Sequence, residues 1–495
     1  MTTKKDLAIK PWMEEIWVWA DKFGLSEEQL PRDANALSSL TELSLIEKSI
    51  TKVPQSIGNL KNLKSLDLSY NCDMDALPES MDKLINLEEL HLSAISLKKL
   101  PKNLTNLINL KILNLGGNKL ETLPESIGDL VNLEDLILYE NVLNTLPRGI
   151  KKLKNLKQLD LEGNKFETLP ESISDLANLE YLRLDCNALN TLPDSIGQIK
   201  SLKKLNLNSN KLKALPENIG NLINLEYLSL DYNALTTLPD SIGKLRNLKQ
   251  LDLESNKLKI FPESIANLAN LLYLNISQNA LNTLPDSINK LRKLKRIYLE
   301  DNKLKTLPEN ITDLVTLECL RLDYNTLNTL PDSIGQMKKL MALGLGNNKL
   351  KSIPESIGDL ANLKDLGLND NALSTLPDNI RKLRNLEELD LQSNKLKSLP
   401  ESIGDLANLQ YLDLNHNVLN VLPESISQMK KLMLLRLRTN KIKTLPESIG
   451  QLINLEYINV EDNQLSILPD SIGQVKSLKK TRACHQLSQM TQETR

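Results

Sequence analysis

The sequence is poor in aromatic residues, which make up 3% of its 495 positions, and it carries almost no net charge. Its 61 Lys and Arg residues nearly balance its 63 Asp and Glu residues, for a net charge of −2. Because nucleic-acid-binding proteins rely on an excess of basic side chains, we expect no nucleic-acid partner. The core of such a chain has to be built from aliphatic side chains.

Long apolar runs are absent as well. No stretch reaches the ~18 consecutive apolar residues of a transmembrane helix, and the first residues lack the apolar run of a signal peptide. We therefore expect no membrane span and a cytoplasmic protein. The alternative is an exported effector without a recognisable signal peptide.

Patterns that carry chemistry are missing too. The four cysteines lie far apart and form no Cys-x-x-Cys pair, which favours free thiols in a reducing compartment: Cys72, Cys186, Cys319 and Cys484. The three histidines have no metal-ligand spacing, and the sequence contains no GxSxG, HExxH or phosphate-binding loop. We therefore predict that the protein is not an enzyme and that it holds no metal and no cofactor.

What the sequence does contain is one short repeat. From Pro78 to Pro469 a proline recurs every 23 residues, and the pattern LxxLxLxxNxL begins at Leu40 and recurs up to Leu455, which makes nineteen repeats. The alternating leucines predict a strand, which the proline ends, and apolar residues three apart predict a single helical or 3₁₀ turn with the proline at its first position. One such repeat buries too little to fold alone and depends on stacked neighbours.

This pattern resembles the leucine-rich-repeat family, in its 23-residue LPxxI class, which includes intracellular Ras-group-type proteins and many bacterial repeat proteins. The resemblance covers about residues 40–477. It implies an α/β solenoid, a horseshoe with a parallel sheet on the concave face and short helical or 3₁₀ turns on the convex face. It also implies protein binding as the general function.

Two columns of polar residues recur with the repeat. An asparagine follows each predicted strand except in the first and third repeats, which have Lys48 and Ile95 in its place. A buried amide needs hydrogen-bond partners for its donors and its acceptor, so we predict a structural column: Asn118, Asn141, Asn164, Asn187, Asn210 and Asn233. The residue after the first leucine alternates in sign along Lys111, Glu134, Lys157 and Glu180. In a parallel stack these residues are neighbours, so they are predicted to form ion pairs.

The two ends depart from the repeat. Residues 1–39 hold all three tryptophans, and Trp12, Ile16 and Trp19 share one face of a predicted helix. We interpret this segment as an N-terminal helical cap; a separate partner-binding or targeting helix is the alternative. Residues 40–477 form the repeat domain, and residues 478–495 are a degenerate last repeat, predicted to form no strand, followed by a polar tail.

Function is predicted to lie in the variable strand positions, which face the concave side or its rim. All ten tyrosines occupy such positions, and tyrosine beside arginine is typical of protein interfaces. The alternative is that strand preference and copying by duplication placed the tyrosines there. The candidate partner-binding residues are Tyr181, Arg183, Asp185, Tyr227, Asp231, Tyr232, Tyr273, Arg296, Tyr298, Arg321, Asp323 and Tyr324.

Small residues at Gly344, Gly346 and Gly367 predict a shallow dip on this face, able to receive a side chain or loop of a partner. The leading functional prediction is a non-enzymatic scaffold that binds a protein through the concave face. The alternative is a regulatory or secreted effector that modulates a partner enzyme. The sequence identifies neither the partner nor the oligomeric state.

Overall fold

The computed structural model describes residues 8–482, apart from the side chain of Lys102. These residues fall into two compact units, an N-terminal unit of residues 8–235 with 244–248 and a C-terminal unit of residues 236–243 with 249–482. Each unit is an α/β solenoid of strands and 3₁₀ turns. The predicted tail from residue 483 onward, with Cys484 and His485, lies outside the described residues.

The N-terminal segment forms two helices, α1 (Pro11–Lys22) and α2 (Ala34–Ser38). Met13, Ile16 and Ala20 of α1 are fully buried, and the Trp19 Nε1 donates a hydrogen bond to the Lys52 carbonyl at 2.7 Å. The buried face therefore includes Met13 rather than the predicted Trp12, which is half-buried. This packing against the first repeat is what a cap requires, although the domain boundaries stay a prediction.

Among residues 8–482, no helix has the length and apolar character needed to cross a bilayer.

Each repeat contributes one three-residue strand. The strands of the N-terminal unit are β1 (Glu42–Ser44), β2 (Ser65–Asp67), β3 (Glu89–His91), β4 (Ile112–Asn114), β5 (Asp135–Ile137), β6 (Gln158–Asp160), β7 (Tyr181–Arg183), β8 (Lys204–Asn206) and β9 (Tyr227–Ser229). Those of the C-terminal unit are β10 (Gln250–Asp252), β11 (Tyr273–Asn275), β12 (Arg296–Tyr298), β13 (Cys319–Arg321), β14 (Ala342–Gly344), β15 (Asp365–Gly367), β16 (Glu388–Asp390), β17 (Tyr411–Asp413), β18 (Leu434–Arg436), β19 (Tyr457–Asn459) and β20 (Lys480–Arg482). Within each unit every strand pairs with the next in parallel, as predicted.

Short 3₁₀ turns carry the chain back from one strand to the next. Those of the N-terminal unit are Gln55–Asn59, Glu79–Lys83, Lys102–Asn106, Glu125–Asp129, Arg148–Lys152, Glu171–Asp175, Asp194–Gln198 and Glu217–Asn221. Asp240–Lys244 falls where the chain passes between the units, and the C-terminal unit has Glu263–Asn267, Asp286–Lys290, Glu309–Asp313, Ile334–Gln336, Glu355–Asp359, Asp378–Lys382, Glu401–Asp405, Glu424–Gln428, Glu447–Gln451 and Asp470–Gln474.

The proline was predicted one residue too far into the turn. Pro124 precedes the turn Glu125–Asp129 and is extended, with φ −68° and ψ 149°. Its carbonyl accepts the first turn hydrogen bond, from the Ile127 amide at 3.0 Å. Proline suits this place because it has no amide hydrogen and the chain leaves the strand there in an extended form.

The degenerate last repeat does form a strand, contrary to prediction. In β20 Thr481 stands opposite Ile458 of β19, where earlier repeats place a leucine. The ladder is made by backbone groups, so a missing leucine removes burial without removing the pairing. Thr481 is accordingly half-buried, whereas the equivalent leucines are fully buried.

The asparagine column lies at the turn after each strand. Asn164 is 7% exposed; its Nδ2 donates to the carbonyls of Leu138, at 2.9 Å, and Leu161, at 3.1 Å, and its Oδ1 accepts from the Leu143 amide at 3.0 Å. One amide thus joins two consecutive repeats. Asn118, Asn141, Asn187, Asn210 and Asn233 make the same kind of bonds.

Candidate protein-binding surface

The strand geometry decides which side chains face outward. In each three-residue strand from β1 to β19 the middle residue is buried in the core, and the first and third project from the opposite side, as in Tyr181-Leu182-Arg183. We call this outer side of either unit the sheet face. The side chains on it are held by a hydrogen-bonded backbone, which is a rigid support for recognition.

In the N-terminal unit two predicted tyrosines enclose a lysine. Tyr181, Lys204 and Tyr227 are register partners on β7, β8 and β9. The Lys204 Nζ lies 5.4 Å from the ring centroid of Tyr181 and 4.9 Å from that of Tyr227, within the range of cation–π attraction. No carboxylate lies within 4.0 Å of this Nζ in the part of the chain that the structure describes. We call these three residues the tyrosine clasp.

Arg183 lies beside the tyrosine clasp and is surrounded by acids. Its guanidinium pairs with the Asp160 Oδ2 at 3.2 Å, with the Asp185 Oδ2 at 3.4 Å, and with Glu162. Burial raises the pKa of Asp160, and burial together with the Asp185 charge raises the pKa of Glu162. Asp185 is only 7% exposed, so its carboxylate contacts Arg183 from the buried side and does not project from the sheet face.

Tyr232 stands at the residue before the column asparagine. Its backbone is left-handed, with φ 54°, and its side chain is 57% exposed. Asp231 is half-buried and accepts a hydrogen bond from the Ser229 hydroxyl at 3.2 Å. Of the six predicted contact residues in this unit, Tyr232 and Tyr227 are exposed, Tyr181, Arg183 and Asp231 are half-buried, and Asp185 is buried.

The C-terminal unit carries a different set on its sheet face. The rings of Tyr273 and Tyr298 contact at a centroid distance of 5.4 Å, and Arg296 stands in register beside Tyr273. Tyr324 repeats the geometry of Tyr232, with φ 56° and 61% exposure. Burial raises the pKa of Asp323, whose Oδ1 accepts a hydrogen bond from the Gly346 amide at 2.7 Å.

The predicted dip is wrong at Gly344 and Gly346, where side chains of the same chain fill the space. Arg321 crosses the intervening strand β14 and donates a hydrogen bond to Asp365 on β15 at 2.6 Å. A Cβ atom added to Gly344 would lie 2.8 Å from the Arg321 Cδ and 2.1 Å from the Asp323 Oδ2. The glycine therefore makes room for an arginine of the same chain, and the space above it is filled.

Farther along the C-terminal unit, acidic residues, a tyrosine and an arginine form a hydrogen-bonded cluster. The Asp413 Oδ2 accepts hydrogen bonds from the Tyr411 hydroxyl at 3.1 Å and from the Arg436 Nη1 at 3.0 Å. Asp390 stands beside Asp413 in the register of β16 and β17. Burial, with a further contribution from the Asp413 charge, raises the pKa of Asp390 to about 6.

The edge of the N-terminal unit confirms the predicted ion pairs. Lys111 pairs with Glu88 at 2.7 Å, and Lys157 pairs with Glu134 at 2.6 Å. A second asparagine column, which the sequence analysis missed, runs beside them, and each Nδ2 bonds a carbonyl of the preceding repeat, as in Asn132 to Ile108 at 2.8 Å. Together they line a groove of about 1030 Å³ between Ser39 and Ser201.

Two features of this surface were not predicted from the sequence, although the 23-residue spacing indicated both. Lys204 occupies the same repeat position as Tyr181 and Tyr227, 23 residues from each, so its place between the rings follows from the period. Asp160 and Glu162 lie 23 residues before Arg183 and Asp185, which makes them the neighbours of that pair in the stack.

Comparison with known families agrees with this architecture. A model described as a leucine-rich repeat region matches residues 124–215, 209–299, 286–370, 347–418 and 401–494, and a leucine-rich-repeat model matches residues 109–130. These matches cover well over half of the sequence, so the chain belongs to the leucine-rich-repeat family. A search of curated protein sequences found no match.

The solved structures similar to this chain include bacterial and plant proteins. A leucine-rich-repeat protein of Leptospira interrogans is 34% identical, with 91% of this chain and 97% of that chain covered and a TM-score of 0.62. The ectodomain of the Arabidopsis thaliana receptor kinase GASSHO1/SCHENGEN3, in complex with Casparian strip integrity factor 2, is 30% identical, with 90% and 61% covered and a TM-score of 0.55. YopM of Yersinia enterocolitica is 24% identical, with 96% and 100% covered and a TM-score of 0.66, and its likeness concerns the fold alone. The family and these neighbours indicate a protein-interaction scaffold.

Proposed function

We propose that the protein is a non-enzymatic scaffold that binds another protein through the sheet face. The observation that carries this proposal is the tyrosine clasp. Its two rings stand on a rigid backbone, Tyr227 is 36% exposed, and the ammonium of Lys204 is held between them. Rigid aromatic residues next to a cation give a partner apolar area and a charged anchor at low entropic cost.

The chemistry of the clasp suggests the chemistry of the partner. An ammonium group has three donors, and a carboxylate of the partner would satisfy them while apolar atoms cover the rings. The partner segment is therefore proposed to present a carboxylate next to an apolar side chain. Arg183 adds a second cation, although its three carboxylate neighbours already offset its charge.

The sheet face of the C-terminal unit is proposed as a second contact region, formed by Tyr273, Arg296, Tyr298, Arg321 and Tyr324. Arg296 and Tyr324 are exposed. The Arg321 guanidinium pairs with Asp365, so it is proposed to offer a partner mainly the face of its guanidinium plane. The neighbour GASSHO1/SCHENGEN3, solved with Casparian strip integrity factor 2, supports the idea that this fold presents such surfaces to a protein or peptide.

The cytoplasm is proposed as the place of action. Three of the four cysteines lie within the described residues, and all three are free thiols, as in most proteins of reducing compartments: Cys72, Cys186 and Cys319.

The experiment that tests the proposed function is quantitative affinity capture with three baits: the wild type, Tyr181→Ala/Tyr227→Ala, and Tyr457→Ala. Tyr457 occupies the same repeat position on β19 and serves as the matched control. We expect a partner that the wild type and the control retain and that the double variant loses. Lys204→Glu should lose the same partner, because it reverses the charge held between the rings. Equal capture by all the baits would contradict the proposed surface.

A further inference from the structure

The cluster around Arg183 contains more negatively charged groups than positively charged ones. Asp160 and Glu162 come from one repeat, and Asp185 comes from the next. The three carboxylates face a single guanidinium, which leaves an excess of two negative charges when all are ionised. Asp160 and Asp185 are 4% and 7% exposed, so solvent screens this excess poorly.

One oxygen of the cluster is left without a partner. The Asp185 Oδ1 is buried and accepts no hydrogen bond from the residues that the structure describes. The other oxygen of the same carboxylate contacts Arg183 only at 3.4 Å. A buried carboxylate oxygen without a donor is costly, and such groups commonly belong to a binding site.

A thiol lies close to the Asp185 carboxylate. Cys186 is exposed, at a left-handed backbone position with φ 55°. Its Sγ, one carboxylate oxygen of Glu162 and one of Asp185 all lie within 4.8 Å of one another. Donor atoms around a tetrahedral Zn²⁺ lie roughly 3.5 Å apart, given metal–ligand distances of about 2.0–2.3 Å. A shift of about 1 Å in the exposed Cys186 side chain and the half-buried Glu162 side chain closes the difference.

We propose that Glu162, Asp185 and Cys186 form a divalent metal site, and that Zn²⁺ is the cation this donor set fits best. A thiolate with two carboxylates selects a borderline cation such as Zn²⁺ and disfavours Ca²⁺ and Mg²⁺, which prefer oxygen alone. The cation would offset the excess charge and supply the partner that the Asp185 Oδ1 lacks. Three protein donors leave a fourth position open to water or to a donor group of another molecule.

This inference does not rest on the proposed function, because the three donors belong to this chain and metal binding can be measured without a partner. The competing interpretation is a purely structural ion cluster in which Arg183 is the only cation. The two differ in what Cys186 does, since a structural ion cluster makes no use of the thiol.

The test is titration of the chelator-treated full chain with Zn²⁺ by calorimetry and with Co²⁺ by absorption spectroscopy. We expect one Zn²⁺ per chain, with affinity reduced at least about tenfold in Asp185→Asn and in Cys186→Ser. Co²⁺ should give a thiolate charge-transfer band that Cys186→Ser abolishes. Because Cys186 is exposed, this variant keeps the fold.

Two control variants decide which thiol is responsible. Cys72→Ser and Cys484→Ser should keep both the stoichiometry and the cobalt band. The proposal is overturned if the wild type binds no Zn²⁺, if Cys186→Ser and Asp185→Asn bind it as tightly as the wild type, or if Cys484→Ser alone removes the band.

Discussion

Two columns that lie one residue apart behave in opposite ways. The column asparagine is the same residue with the same bonds in repeat after repeat, as at Asn187 and Asn325. The residue just before it keeps a left-handed backbone but changes its side chain freely, as at Cys186, Asp301 and Tyr324. The asparagine and the backbone hydrogen bonds thus fix the conformation of the turn. The side chain of the preceding residue is not needed for the turn and can vary, although its backbone has an unfavourable positive φ.

The largest expected effect is on the free energy of unfolding, which should fall much more when a buried column asparagine is replaced than when an asparagine of the exposed column is replaced. Asn164→Ala removes four hydrogen bonds and leaves the Leu143 amide without its acceptor, so we expect a loss of about 3 kcal/mol in the free energy of unfolding. Asn155→Ala, in the exposed second column, should cost about 0.5–1 kcal/mol because water replaces its bond to the Val131 carbonyl. Urea denaturation followed by circular dichroism measures both, and equal losses would contradict the distinction.

The repeat columns were predictable because each depends on one residue type at one place. The 23-residue period, the parallel strands and the alternating Lys–Glu edge follow from identity and spacing alone. The path of Arg321 to Asp365 and the formation of β20 do not. They depend on side-chain reach between repeats or on backbone pairing, and the leucine pattern records neither.

Asp390 tests whether a single side chain of the sheet face also affects the stability of the fold. Its pKa is raised to about 6, above an ordinary carboxyl value of about 3.9, because burial and the Asp413 charge disfavour the ionised form. The folded chain therefore binds more protons than the unfolded chain between these two values. Stability falls as pH rises through this window, by about 3 kcal/mol for the full pKa shift and by about 2 kcal/mol once solvent screening of the half-buried carboxyl is included.

Asp390→Asn tests this linkage. The variant keeps an acceptor for the Gln392 amide, which bonds the Asp390 Oδ1 at 3.0 Å, but it has no charge to bury. We expect its stability to exceed that of the wild type at pH 7 and to approach it near pH 4. Urea denaturation across this pH range gives the comparison, and parallel curves for the two proteins would show that Asp390 is not the titrating group.

The smallest expected effect concerns the left-handed column itself. Tyr324 has φ 56°, which glycine adopts without strain and other residues do not. Its side chain is 61% exposed, so removing the ring costs little packing. Tyr324→Gly should therefore be more stable than Tyr324→Ala by about 1 kcal/mol, because alanine keeps the unfavourable backbone and glycine relieves it. Urea denaturation of the two variants measures this difference. An alanine variant at least as stable as the glycine variant would mean that the left-handed backbone at this position is not strained by a Cβ atom. The glycine variant then removes a proposed contact ring without weakening the fold, so any binding it loses can be assigned to the ring.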